Sequence, residues 1–463
     1  MKKPINNYLM GKTLLKYLFI VISLSLNYDY LYAEESSTST VDTSTKEESA
    51  ASSTVIDKKE GNIEKENVEV TEPEKQIEEP PTEETQKNDE EVLTPQSEDA
   101  LWENKDISDS TPNEVLEEAS DTNSVQAPPK VKYDLSHNAD WLATFFNREL
   151  DDMISGTDSE EGQRIYLRTK AFINEGSNKG LIIIVSGFQH PIEVYIETAK
   201  DFYLKGYSVV MYDPRGQGKS TRFEGYNKGI AYVDDFNNYV KDLDLIYKYA
   251  NDKFNKESLP VYIYGHSMGG LVASLFVEEF KRDNILKGMI LTAPMYEMKT
   301  NYVPSFIVYL AAKIYEWLGL SKESAWFKDG KHDENYYNGK TLGTSSPNRV
   351  LFFKYLWYNG GVRFYTDEGI SWKWIFEAIE NSYRRLDEKK MEVITSKVPT
   401  IIFYGTEDRL VWTGVYDKYC NIERGCITKK INGAAHSIHR EEDEYRNEFL
   451  RESFLFMDRQ KNK

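Results

Sequence analysis

From residue 133 to the C-terminus, apolar runs of four to seven residues alternate with longer stretches whose apolar positions recur every three or four residues. Short β-rich runs fit strands buried on both faces, and the longer spacing fits helices with one apolar side. The pattern therefore predicts an α/β domain, a mainly parallel sheet covered by helices. Strands are expected over 181–185, 207–212, 261–264, 289–292 and 400–404, with a last one over 426–431. Helices are expected over 192–204, 233–253, 271–282 and 441–456. The rhythm breaks once. Residues 295–397 carry no strand pattern and contain Trp317, Trp326, Trp357, Trp372 and Trp374, five of the eight tryptophans. An insertion there reads as a cap over the C-terminal edge of the sheet, where open α/β sheets bind ligands. Its apolar helix, 306–318, is a candidate to line an acyl pocket or to touch a membrane, although aromatics of this kind also serve as the cap's own core.

Upstream the periodicity is absent, and composition explains why. Residues 34–130 hold 28 acidic and 8 basic side chains and one aromatic, Trp102, whereas 131–463 hold 47 acidic and 45 basic. A segment so charged and so poor in apolar groups cannot offset the entropy of ordering, so 34–130 is expected to be a disordered acidic spacer, either a tether or a solvated tail. The net charge of −19 thus describes the spacer. With no basic region, a nucleic-acid partner is disfavoured. Residues 1–33 carry Lys2, Lys3, Lys12 and Lys16, an apolar run over 17–26, and Ala33 at the end, the order of a signal peptide cleaved near Ala33. A run of ten residues is short for a membrane span. Export to the periplasm, cell surface or medium is therefore expected, with 131–463 as the catalytic domain. Cys420 and Cys426, the only cysteines, are then candidates for one small disulfide; they do not complete a zinc set.

The chemistry concentrates where the strand at 261–264 runs into Gly265-His266-Ser267-Met268-Gly269-Gly270 and then a helix. This is the nucleophile elbow of α/β-hydrolases, whose glycines admit a sharp turn that leaves the serine hydroxyl at a helix N-terminus. Serine needs a base, and the base needs an orienting acid. Of the six histidines, His137, His190, His266 and His332 are misplaced for that role, whereas His436 and His439 follow the last strand. His436 is favoured because the small residues Gly433, Ala434 and Ala435 allow close approach; His439 is then expected at the surface. Glu407 and Asp408 follow the 400–404 strand, with Asp408 favoured for its short side chain and the turn after it. The order Ser267, Asp408, His436 is that of α/β-hydrolases. Backbone N–H groups of Phe188 and Met268 are the expected oxyanion donors. The string Asp213-Pro214-Arg215-Gly216-Gln217-Gly218-Lys219-Ser220 is no phosphate loop, since Asp213 stands where the first glycine is required.

That string, with the elbow and Leu291-Thr292-Ala293-Pro294-Met295, resembles the monoglyceride lipase and bacterial lysophospholipase branch of the α/β-hydrolases, also grouped with serine aminopeptidases. The likeness runs from about 164 to 456. Ser186-Gly187 stands in place of the usual His-Gly pair, as in the lysophospholipase group. The resemblance implies Ser267 as nucleophile, Asp408 as acid, His436 as base, Phe188 and Met268 as oxyanion donors, and no cofactor. The expected activity is hydrolysis of a carboxylic ester of a single-chain lipid, a lysophospholipid or monoacylglycerol, with peripheral membrane contact through the cap. An aminopeptidase, and a non-catalytic surface binding protein, are the alternatives.

Overall fold

The computed structural model describes residues 139–145 and 151–461, apart from 177, 227–228, 281–285, 301–302, 326–342, 360–368 and 385. The expected leader and acidic spacer, with Trp326 and His332 of the cap, lie outside the described residues. The centre is an eight-stranded sheet of β1 (Asp151–Ser155), β2 (Tyr166–Phe172), β3 (Leu181–Val185), β4 (Ser208–Tyr212), β6 (Val261–His266), β7 (Leu286–Thr292), β9 (Thr400–Gly405) and β10 (Cys426–Ile431). Their order across the sheet is β1-β2-β4-β3-β6-β7-β9-β10. Pairing from β4 to β10 is parallel, and the β1-β2 and β2-β4 pairs are antiparallel.

Alternate side chains of the parallel strands point to opposite faces, so each face needs its own apolar cover. Ile183, Val185, Ile263, Leu291 and Ile402 face α3 (Asn237–Phe254), α4 (Met268–Phe280) and α8 (Glu388–Lys397) through Leu243, Leu271, Leu275 and Ile394. Ile182, Ile184, Tyr264, Ile290 and Phe403 face α2 (Ile196–Leu204) and α9 (Asp443–Lys461) through Phe202, Phe449 and Met457. A short helix α1 (Ala139–Phe145) adds Leu142 and Phe145 to this second face.

The antiparallel pair β1-β2 is not foreseen by the apolar pattern. Buried Arg168 and Lys170 interrupt β2, and both are paired: Arg168 Nη1 lies 2.6 Å from Glu193 Oε1 and Lys170 Nζ 2.8 Å from Asp151 Oδ1. Charge pairing replaces side-chain hydrophobicity as the condition for burial.

Between β7 and β9 the chain forms α5 (Ser305–Trp317), α6 (Pro347–Asn359) and α7 (Trp372–Ile379). Ala311, Ala312 and Trp372 form a small apolar cluster of their own. Two-residue strands β5 (Ile230–Ala231) and β8 (Gly369–Ile370) pair in parallel, so the insertion is joined to the segment before α3. Cys420 and Cys426 are bonded across the turn Ile422–Arg424 that leads into β10.

Candidate active site

The elbow is built by exclusion of side chains. A Cβ on Gly269 would strike the Val185 carbonyl, one on Gly265 would lie 2.9 Å from the Gly269 carbonyl oxygen, and one on Gly270 2.7 Å from the Pro294 Cβ. With β6, β3 and α4 drawn this close, Ser267 is forced to φ 52°, a conformation a side-chain-bearing residue adopts only when its surroundings impose it. Backbone bonds fix the turn: Ser267 N–H donates to the Thr292 carbonyl at 3.0 Å, and the Ser267 carbonyl accepts from Gly270 and Met295, both at 2.9 Å.

Asp408 lies in the turn after β9. Its Oδ1 accepts the N–H groups of Leu410 at 2.8 Å and Val411 at 3.1 Å, and Lys299 Nζ donates to its carbonyl oxygen at 2.6 Å. Oδ2 is left for His436 Nδ1, 2.8 Å away. Burial raises the carboxyl, but the His436 ring beside it and the three hydrogen bonds outweigh that, and its pKa is held below the ordinary aspartate value. Glu407, the other candidate, is exposed.

The loop after β10 is pinned on both sides. The Ala434 carbonyl accepts Glu407 N–H at 2.9 Å, Ala435 N–H donates to Glu441 Oε1 at 2.8 Å, and Ser437 N–H donates to the Gly343 carbonyl at 2.6 Å. This presents the buried His436 ring 5.0 Å from the ring of His266, the residue before Ser267. Among the hydrogen bonds of the described residues none joins Ser267 Oγ to His436; Asp408 with His436 is the pair brought into direct contact, and apo hydrolases often form the serine bond only with substrate.

Phe188 follows β3 and Met268 opens α4. Among the described residues, neither backbone N–H donates to a protein acceptor. The Phe188 ring meets Trp374 of α7 at 3.8 Å, which brings the cap onto the loop after β3. Sequence reasoning missed this contact, although Trp374 stood out by composition.

His439 corrects an expectation. It is fully buried, not at the surface. It occupies the turn Ile438–Arg440 and stacks on Tyr195 at 4.8 Å. His190, His266 and His439 bring their ring nitrogens within 4.8 Å of one another, the one such group among the described residues able to approach a metal.

The sequence from 176 to 443, more than half the chain, matches the model of the Hydrolase_4 family, described as serine aminopeptidase S33. The chain belongs to this family. Its relatives include lysophospholipase L2 of Escherichia coli K12, 27% identical over 296 residues, which span 60% of this chain and 80% of that protein. The monoglyceride lipase of Homo sapiens is 27% identical over 296 residues, 62% of this chain and 85% of its own. A solved soluble variant of Saccharomyces cerevisiae monoglyceride lipase superposes with a TM-score of 0.52 at 19% identity, covering 67% of this chain and 96% of that one. The shared fold is the α/β-hydrolase fold.

Proposed function

We propose that this S33 hydrolase cleaves carboxylic esters of single-chain lipids, lysophospholipid or monoacylglycerol, through an acyl-enzyme on Ser267. The observation that carries the reading is the Asp408–His436 pair set beside a strained serine elbow, with the Phe188 and Met268 N–H groups uncommitted. His436 Nδ1–H donates to Asp408 Oδ2, which leaves Nε2 as the basic nitrogen. Ser267 Oγ attacks the ester carbonyl as Nε2 takes its proton. The carbonyl oxygen, now negative, accepts from Phe188 and Met268. His436 returns the proton to the leaving alcohol, and water, activated by the same nitrogen, releases the fatty acid.

Relatives named lysophospholipase and monoglyceride lipase support the substrate class. The family's aminopeptidase description favours a second reading, capture of a free amine by a carboxylate. Two of the described cap carboxylates, Glu316 and Glu377, lie against Lys373 at 3.3 and 3.1 Å, so those two are already paired with a cation of the cap itself. Phe306, Leu310 and Trp317, 65%, 54% and 83% exposed on one stripe of α5, support contact of the cap with a lipid surface. The disulfide agrees with an exported enzyme.

The test is turnover by the purified chain and by Ser267→Ala of lysophosphatidylcholine, monooleoylglycerol and aminoacyl arylamides. Ser267-dependent release of fatty acid from either lipid is expected. Turnover of the arylamides alone would transfer the assignment to the peptidase reading, and no Ser267-dependent turnover of any ester would defeat the lipase one.

A further inference from the structure

The base and the oxyanion donors stand on separate loops, and the acyl-enzyme reading, on which this inference rests, needs both in register. One buried side chain touches both. Tyr195 ends the turn Ile192–Tyr195, and its Oη accepts the N–H of Gly187, the residue before Phe188, at 2.7 Å. A hydroxyl oxygen that accepts this bond keeps its own proton to donate. His190 Nδ1 lies 3.2 Å away, so the line runs Gly187 N–H to Tyr195 Oη, then Tyr195 O–H to His190 Nδ1, and it puts the His190 proton on Nε2.

The face of the Tyr195 ring turns to the base loop. His439, three residues after His436, stacks on it at 4.8 Å with the planes 10° apart. His266 closes the circuit, 4.6 Å from His439 and 5.0 Å from His436. Metal ligation is not what this geometry serves. Nitrogens around a tetrahedral zinc stand roughly 3.4 Å apart, closer than the 4.8 Å spread found here. The groups are also arranged to stay neutral beside a cation: burial first, and the Arg440 guanidinium after it, push His190 and His439 well below the ordinary histidine value. A dication would meet the same guanidinium.

We propose that Tyr195 is a positioning residue of the oxyanion loop: its hydroxyl orients Gly187, and through it the Phe188 N–H, while its stack on His439 keeps that loop aligned with the base. The site leaves no space for a side chain at Gly187, since a Cβ there would lie 2.8 Å from the His266 ring.

The experiment uses the full chain with p-nitrophenyl butyrate, counting competent sites by complete labelling with a fluorophosphonate, and measures kcat per labelled site, KM and the melting temperature. Tyr195→Phe removes the hydroxyl and keeps the stack. Its kcat per site is expected to fall roughly tenfold with KM within about twofold, because the oxyanion exists only beyond the ground state. His439→Leu breaks the stack without touching Gly187 and is expected to lose a few-fold in kcat per site. Undiminished kcat per site in Tyr195→Phe overturns the proposal, including when the melting temperature alone has dropped. Ser267-dependent turnover by the parent with that outcome leaves the acyl-enzyme reading standing; a parent without Ser267-dependent turnover defeats both.

Discussion

Asp408 earns its place by what each of its oxygens does. Oδ1 is consumed by the backbone of its own turn, so only Oδ2 remains for the imidazole, and the carboxylate has one orientation available. Asp408→Asn keeps the shape but presents an amide that permits the wrong imidazole tautomer. Its kcat on a soluble aryl ester is expected to fall on the order of 10³–10⁴-fold, with Glu407→Gln within about twofold of the parent. Steady-state kinetics of the two variants check this, and the reverse ranking would move the acid to Glu407. The histidines behind the elbow carry a different prediction. His266 and His439 are wholly buried, and burial, then the surrounding rings and guanidinium, depress both well below 6.5. The unfolded chain binds their protons near pH 6.5, whereas the folded one does not, so unfolding takes up protons and stability falls as pH drops below that value. The slope is up to about 1.4 kcal/mol per pH unit for each histidine until the folded values are reached. Urea denaturation from pH 7 to 5 reads it, and a flat profile would mean that these rings are protonated in the folded state.

At the scale of elements, the parallel strands were legible because burial on both faces demands continuous apolar runs, as in Leu181–Val185. Strand β2 was not, since Arg168 and Lys170 are buried through partners 25 and 19 residues away that no local pattern reveals. The serine, acid and base candidates were legible for a related reason: each follows a strand end, and the elbow glycines answer a steric demand that local sequence displays. Tyr195 and His439 were illegible because their meaning lies in a contact between two loops, one after β3 and one after β10. Strand β10, at the sheet edge, leads directly into the His436 loop, and the disulfide closes the short turn before it. Replacing Cys420 and Cys426 together by serine is expected to lower stability by about 2 kcal/mol, the loop-entropy value for so small a ring. Denaturant titration with and without reductant measures it. A parent whose stability is indifferent to reductant would show that the ring constrains the unfolded chain too little to matter.

For the whole molecule, charge is divided unevenly between regions. Nearly all the excess of acidic over basic residues belongs to 34–130. Deleting that segment is expected to leave kcat/KM for a soluble ester within about twofold, while changing the salt dependence of binding to anionic vesicles. Lost activity on the soluble ester would make the segment part of the catalytic unit. The cap, in contrast, cannot be treated as a detachable piece. Gly369–Ile370 pairs with Ile230–Ala231, Glu377 Oε2 accepts the Phe236 N–H at 3.1 Å, and Trp374 lies on Phe188. These footings stand well upstream of the insertion itself. A chimera that exchanges residues 295–397 between relatives would therefore graft half of a joint, and recombination that preserves folding has to carry the 230–236 stretch as part of the same module.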